Sequence, residues 1–391
     1  MKQTLFLALL LLMLTSCTRA QAGTDIAFCG GAPPCAGKNP LIAGVRVLQQ
    51  SGARPRFSPD GQWIIFDRKN ADGYYDVYMT DLQGQFLIEL TEGKADIGQK
   101  NNGNADFDPS GKYIVFLSEE EKHYSDVLKW TGDPGVGLFS NLWATDLNGD
   151  HFWKLTDIPI KQRLSDGIPA MAAVNPLFAP DDTILYWTER YAEGGNNNWG
   201  RWRIKAADFV IRADGPRLEN ERIAFTPQTG TYVTALGFLS PTEIILSGNL
   251  DGQHEYGMDE YVLDTQTGRL RNLTNTPTLW EEDATVTPSG QIIFMSNAFS
   301  PFVYDFSNPG WSAQKMERDY IIMSSDGSNQ QRLTYFNDPS APEYLSRPVI
   351  VAASDVSTDG KYLIFSLGVD FGEKQRDMVL KVVLIKFWSP Q

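Results

Sequence analysis

The chain has 391 residues, with 34 Lys and Arg against 48 Asp and Glu and a net charge of −14. That balance disfavours nucleic-acid backbones and anionic headgroups as partners, and suits an exported soluble surface, a cationic ligand or calcium. With three Cys and three His in all, neither a disulfide-dense scaffold nor a histidine-built metal, quinone or lyase centre is expected.

Residues 1–16 read as a signal peptide: Lys2 supplies the positive start, and the apolar run Leu5 to Leu14 is too short to span a bilayer. The segment ends in Leu14-Thr15-Ser16-Cys17, which resembles the bacterial lipobox. The resemblance implies that Cys17 is lipidated and begins the mature chain, so that membrane contact runs only through the anchor. Thr18 stands where Asp would retain an enterobacterial lipoprotein at the inner membrane, which favours the outer membrane and leaves its periplasmic or surface face open. Within the extension 17–41, Cys29 and Cys35 bracket Gly-Gly-Ala-Pro-Pro. In an oxidising envelope the pair reads as a small disulfide loop, and the alternative, a metal pair, has no His nearby.

From residue 42 to 387 one unit recurs, and a tail of 388–391 follows. The unit opens on an apolar residue and a tight turn. The copies are Phe57-Ser-Pro-Asp-Gly61 before WIIF, Phe107-Asp-Pro-Ser-Gly111 before YIVF, and Phe178-Ala-Pro-Asp-Asp182 before ILYW. They continue with Phe238-Leu-Ser-Pro241 before EIIL, Val286-Thr-Pro-Ser-Gly290 before IIFM, and Val356-Ser-Thr-Asp-Gly360 before YLIF. The intervals are 50, 71, 60, 48 and 70 residues. Pro presets φ for such a turn and Gly accepts positive φ at its end, and the β-branched and aromatic runs read as strands. A third strand follows in each copy (76–84, 142–149, 261–268, 320–327), with 202–208 in the third copy leading to a long irregular exit. A fourth ends in Leu90-Thr91, Leu155-Thr156, Phe225-Thr226, Leu273-Thr274 and Leu333-Thr334. The sixth copy lacks its fourth strand, and Ile42–Gln49 belongs to no other copy. An N-terminal strand completing the last sheet removes both free edges. The expectation is an all-β, six-bladed propeller of four-stranded antiparallel blades, closed in this way.

The Phe-Ser-Pro-Asp-Gly…Leu-Thr pattern resembles the TolB-type propeller repeat, also called PD40 or WD40-like, over about residues 42–387. The resemblance is specific for fold and implies little about function. Such propellers occur in TolB, in envelope lipoproteins and as the non-catalytic half of prolyl oligopeptidases. The sequence departs from TolB in lacking an α/β domain before the repeats, and from the peptidases in lacking a Gly-x-Ser-x-Gly elbow.

With blade strands labelled a to d from the axis outward, a–b and c–d turns share one face, and b–c and d–a loops share the other. The insertions 119–140, 189–200, 248–260, 297–318 and 337–349 all fall on the second face, which makes it the expected binding face. Its aromatic candidates are Tyr124, Trp130, Tyr191, Trp199, Tyr256, Tyr304 and Trp311, each of which also fits packing within a long loop. Polar candidates in or before strand a are Arg54, Arg56, Asn104, Asp106, Asn175, Glu282, Asp283 and Asp355, expected to converge near one channel mouth. In TolB that mouth receives a partner peptide, and the resemblance implies a similar site here only loosely.

His123, His151 and His254 lie far apart in the sequence, at no metal spacing. Asp106 with Asp283, or Glu281 with Glu282, are the carboxylate pairs open to acid–base chemistry. The polar loop 96–104 reads as a flexible linker, with calcium coordination as the alternative. The reading is a non-catalytic envelope scaffold for a protein or peptide, with no nucleic acid and no cofactor. The alternative is a carbohydrate-active enzyme or glycan-binding lipoprotein using carboxylates or calcium at the channel mouth.

Overall fold

The computed structural model describes residues 25–31, 34–125, 131–180, 183–194, 199–228, 231–307, 316–371, 378–389 and 391. Among them are twenty-four strands, β1–β24 in chain order, arranged as six four-stranded antiparallel sheets. The blades are β2–β5 (53–89), β6–β9 (102–154), β10–β13 (172–225), β14–β17 (233–272), β18–β21 (281–332) and β22–β24 (349–387) with β1 (Ile42–Gln49). The innermost strands β2, β6, β10, β14, β18 and β22 touch in that cyclic order and back to β2, which closes the ring.

Closure is made by β1, which pairs antiparallel with β24 (Met378–Phe387) from Ile42 opposite Phe387 to Gln49 opposite Val382. Ile42, Val45 and Leu48 are buried, so this strand adds core as well as covering an edge. Second strands read as unbroken apolar runs because neighbouring blades cover both faces: Ile64, Ile65 and Phe66 are all fully buried. Four of the six outermost strands are only two or three residues long, such as Leu87–Glu89 and Leu270–Asn272, because their far side meets water.

The recurring Thr has a physical role. Thr91, Thr156 and Thr334 each accept the backbone N–H of a third-strand residue (Val77, Leu142 and Tyr320, all 2.9 Å). Each then donates to the Asp or Asn that precedes this residue: Asp76 at 2.7 Å, Asn141 at 2.9 Å and Asp319 at 2.8 Å. The Thr latches a strand too short to hold by its ladder alone.

The exit expected to be irregular in the third copy is instead an extended hairpin, β12 (Arg201–Arg212) and β13 (Gly215–Phe225), closing at Arg212 opposite Gly215. It leans over the second blade on the turn face, where Trp153 Nε1 donates to Asp214 O at 2.8 Å and the Phe209 ring meets Tyr113 at 6.2 Å. The face expected to be plain therefore carries one projection.

Cys29 and Cys35 are paired. The extension is tied to the propeller by Val45 N donating to Cys35 O (2.8 Å), Lys38 N to Glu343 (3.0 Å) and Asn39 Nδ2 to Arg332 O (2.9 Å). Cys17, Trp130 and Trp311 lie outside the described residues. Among the described residues, no helix is long and apolar enough to cross a membrane.

Candidate functional site

Every innermost strand carries a register shift: at Ala53/Arg56, Gly103/Asp106, Val174/Leu177, Ala235/Gly237, Glu282/Thr285 and Ala352/Ser354. A bulge re-aims the extra residue. Five of these bulges hold a non-glycine residue at positive φ: Arg54 (49°), Asn104 (50°), Asn175 (50°), Asp283 (58°) and Ala353 (43°). Asn and Asp enter this region readily, whereas Arg54 and Ala353 do so at a cost of about 1–2 kcal/mol. Together with Leu236 of the fourth blade, these residues line a constriction of about 20 Å³ on the axis. One residue from each blade therefore divides the channel into two chambers.

The turn-face chamber is the larger, at about 480 Å³. Its rim is the repeat motif itself: Phe57, Pro59, Phe107, Pro109, Phe178, Pro180, Phe238 and Val286 all line it. Its floor holds Arg56, Asp106 and Asp355. Arg56 Nη1 lies 3.9 Å from Asp355 and donates to Ser354 O at 3.3 Å. Each carboxylate also accepts a backbone N–H from the following blade, Phe57 N to Asp355 at 2.8 Å and Phe178 N to Asp106 at 3.3 Å. Burial lifts the Asp106 carboxyl to about 7, with Arg56 opposing and Asp355 adding to the rise, and burial likewise raises Asp355 against Arg56.

The loop-face chamber is about 160 Å³ and is lined by Arg54, Asn104, Asn175, Tyr232, Trp280, Glu282, Asp283, Met295 and Arg318 among others. A hydrogen-bonded belt runs round its wall. Asn104 N donates to both Asp67 oxygens (2.9 and 3.0 Å), Asn104 Nδ2 to Asn175 Oδ1 (2.7 Å), and Asn175 Nδ2 to Thr234 Oγ1 (2.7 Å). Arg54 is held by Asp67, with Asp133 at 3.5 Å. Burial lifts Asp67 to about 6 although Arg54 opposes it. Burial and the adjacent Asp283 carboxylate lift Glu282 to about 7, and burial raises Asp283 as well. Trp280 Nε1 donates to Glu282 at 3.0 Å, and the Arg318 guanidinium lies 3.8 Å from the Trp280 ring centre.

The polar candidates thus do not meet at one mouth. A strand rises about 3.3 Å per residue, so Arg54 and Arg56 reach opposite sides of the constriction. Asp106 and Asp355 stand on the turn side, and Asn104, Asn175, Glu282 and Asp283 on the loop side. Asp106 and Asp283 are therefore not a pair. Glu281 points away from Glu282, as alternate strand residues do, and accepts from Thr276 (2.6 Å) and Ser296 (3.1 Å).

The loop aromatics need a correction. Trp199, Tyr256 and Tyr304 are buried, because the long loops need a core of their own. Trp199 meets Tyr256 at 5.5 Å, Tyr256 meets Trp280 at 4.8 Å, and Tyr304 meets Phe306 at 6.2 Å. That burial removes them from any contact surface. Tyr191 is half-buried under Arg203 at 4.9 Å, and Tyr124 is exposed. His123 is buried against Glu119 (2.6 Å), His151 bonds Asp146 (2.7 Å), and His254 stacks on Phe306 (4.8 Å). Among the described residues, no three His, Cys, Asp or Glu are grouped to hold a metal ion.

The sequence reading missed Arg318, which precedes a third strand and carries no repeat signature. It also missed the Phe/Pro rim, although those residues are the motif. Read as turn residues, they had not been placed around an axis.

No known family profile matches the sequence. Solved structures of similar fold include TolB from Acinetobacter baumannii, at 13% identity and a TM-score of 0.49, covering 85% of this chain and 65% of that one. A puromycin-hydrolysing peptidase of Mycobacterium tuberculosis is similar at 10% identity and 0.49, covering 94% and 55%. An alpha-L-arabinofuranosidase of Fusarium graminearum is similar at 10% and 0.49, covering 93% and 98%. The chain thus spans about two thirds of that TolB and about half of that peptidase. A likeness of this degree is one of fold, across proteins that differ in activity.

Proposed function

We propose that the protein is a non-catalytic binding module of the bacterial envelope, anchored through Cys17, that receives a peptide segment of a partner protein in the turn-face chamber. The observation that carries this reading is the chamber's make-up: an axial cavity of about 480 Å³ with a Phe and Pro rim and one Arg with two carboxylates at its floor. Apolar walls with a few convergent polar groups are the usual form of a ligand site. The floor carboxylates are already engaged by backbone N–H groups that join neighbouring blades, which favours recognition over proton transfer. Apolar side chains of the segment fill the rim, and an N–H donor of the segment meets Asp106 or Asp355. The signal-like start, the lipobox-like string and the paired Cys29 and Cys35 support the envelope setting.

Gly237 on the chamber wall provides the test. A Cβ added there meets nothing closer than Val286 Cγ2 at 3.5 Å, an ordinary contact, so the backbone accepts a side chain at this position and Gly237→Leu adds bulk at the chamber wall. The expected result, from partner capture in the native envelope, is a stoichiometric partner retained by wild type and reduced at least about tenfold by the variant, with an unchanged melting temperature. A partner held equally by both would refute the reading.

A further inference from the structure

We propose that the turn-face chamber recognises a primary ammonium, either the free amino end of the partner segment or a lysine side chain carried at its tip. This rests on the peptide reading above and names what the segment presents to the floor.

The chamber is blind. Its inner end is the constriction formed by Arg54, Asn104, Asn175, Leu236, Asp283 and Ala353, with room of about 20 Å³ against the roughly 10–15 Å³ that one water needs. A polypeptide does not thread through such a gap, so a segment enters tip first. The space in front of it, about 480 Å³, lies within the roughly 300–1,000 Å³ of small-ligand sites, so only the tip reaches the floor.

The floor is short of one positive charge, and its charged groups are open to the chamber. The ionisable side chains lining it are Arg56, Asp106 and Asp355. The side chains of Arg56 and Asp355 keep 18% and 23% exposure, and Asp106 is half-buried. Backbone N–H groups fix each carboxylate, one per oxygen: Phe107 (3.0 Å) and Phe178 (3.3 Å) on Asp106, Val356 (3.0 Å) and Phe57 (2.8 Å) on Asp355. A carboxylate has about four lone-pair sites, so each keeps about two for a ligand. Arg56 stands off, with Nη1 3.9 Å from Asp355 and donating instead to Ser354 O at 3.3 Å. Even with Arg56 opposing, burial leaves the Asp106 carboxyl lifted to about 7, which a second cation would relieve.

A metal ion needs more oxygens than this floor offers. Calcium takes about six to eight, and among the described residues no three His, Cys, Asp or Glu are grouped to hold one. An ammonium carries three donors on one compact charge. That suffices for both carboxylates, while the Phe and Pro rim takes the apolar part of the segment.

The experiment titrates the protein calorimetrically with short peptide amides at about pH 7, where an amino end of pKa about 7.7–8.0 is charged. The probes are Leu-Phe-Ala with a free amino end, the same peptide acetylated, and acetylated Ala-Lys-Ala and Ala-Glu-Ala. The expected result is saturable binding of the free-amino peptide, the lysine peptide or both, at least about tenfold tighter than the other two. The tighter of the ammonium peptides identifies the source. Asp106→Asn and Asp355→Asn, both isosteric, should each cut this preference at least about threefold, and having two variants keeps the test open if one fails to fold. The proposal is overturned if the acetylated Leu-Phe-Ala or glutamate peptide binds as tightly as the ammonium peptides, if none saturates below ~10 mM, or if both variants keep the full preference. Tight binding of an uncharged peptide that Gly237→Leu blocks would leave the peptide reading standing without the ammonium. Partner capture indifferent to Gly237→Leu would remove the peptide reading itself.

Discussion

The two chambers of one channel are built from different material. The turn-face chamber is made by the repeat: copies of one turn place four Phe and three Pro around the axis, with Val286, Val356 and Thr358 from the last two copies, and the charged floor joins blade to blade. The loop-face chamber is made by departures from the repeat. Trp280 precedes its strand, Glu282 and Asp283 flank a bulge, and Arg318 follows an insertion, so the chamber is asymmetric, polar and small. Regularity gives width and apolar walls, whereas irregularity gives buried charge in a particular arrangement.

The largest effect is expected where both chambers fail together. Deleting Ile42–Gln49 strips β24 of its partner and opens the ring. Calorimetry should then show loss of the cooperative transition or a fall of at least about 10 °C, a scale set by the apolar area lost. An unchanged melt would remove the closure from the account.

Next comes a change confined to the loop side. Asp67 is fully buried and holds Arg54 and the Asn104 backbone. Asp67→Ala leaves the buried guanidinium with only the more distant Asp133 at 3.5 Å, at a cost of about 3 kcal/mol. Denaturant titration should show this loss while capture at the turn face persists in the folded fraction.

A smaller effect separates the chambers by pH. Burial raises Asp67 to about 6 and Asp106, Glu281 and Glu282 to about 7. A carboxyl whose folded pKa lies above its unfolded value contributes stability that is complete below the unfolded pKa and is lost as pH rises through the folded one. The melting temperature should therefore fall from pH 5 to pH 8. Asp338, held below the usual carboxylate range by Lys38, acts only in more acidic solution. Asp106→Asn should flatten the fall by about 2–6 °C, and Glu282→Gln should do so from the other chamber. Equal slopes in both variants and wild type would show that these groups titrate normally.

Much of this molecule was legible in its sequence, and the reason is repetition. Six turn signatures fixed the blades, and the orphan strand at 42–49 pointed to its place beside β24. The extended hairpin was missed although Asp214-Gly215 between apolar runs is a hairpin signal, because its length broke the pattern of short outer strands. The inner-strand polar residues were picked out from their position before each turn. Their division between two chambers depended on bulges, which a repeat pattern does not encode. Composition left the loop aromatics open between a contact surface and loop packing, and only the structure shows that Trp199 and Tyr256 pack on each other and Tyr304 on Phe306.

The central claim is that the turn-face chamber receives the partner. A photoreactive residue placed at Thr358, on the wall of that chamber, should yield a single cross-linked partner in the native envelope. The same residue at Val303, 86% exposed in a loop-face insertion, should yield none. A partner captured at Val303 and absent at Thr358 would contradict the account and move the interface to the decorated face.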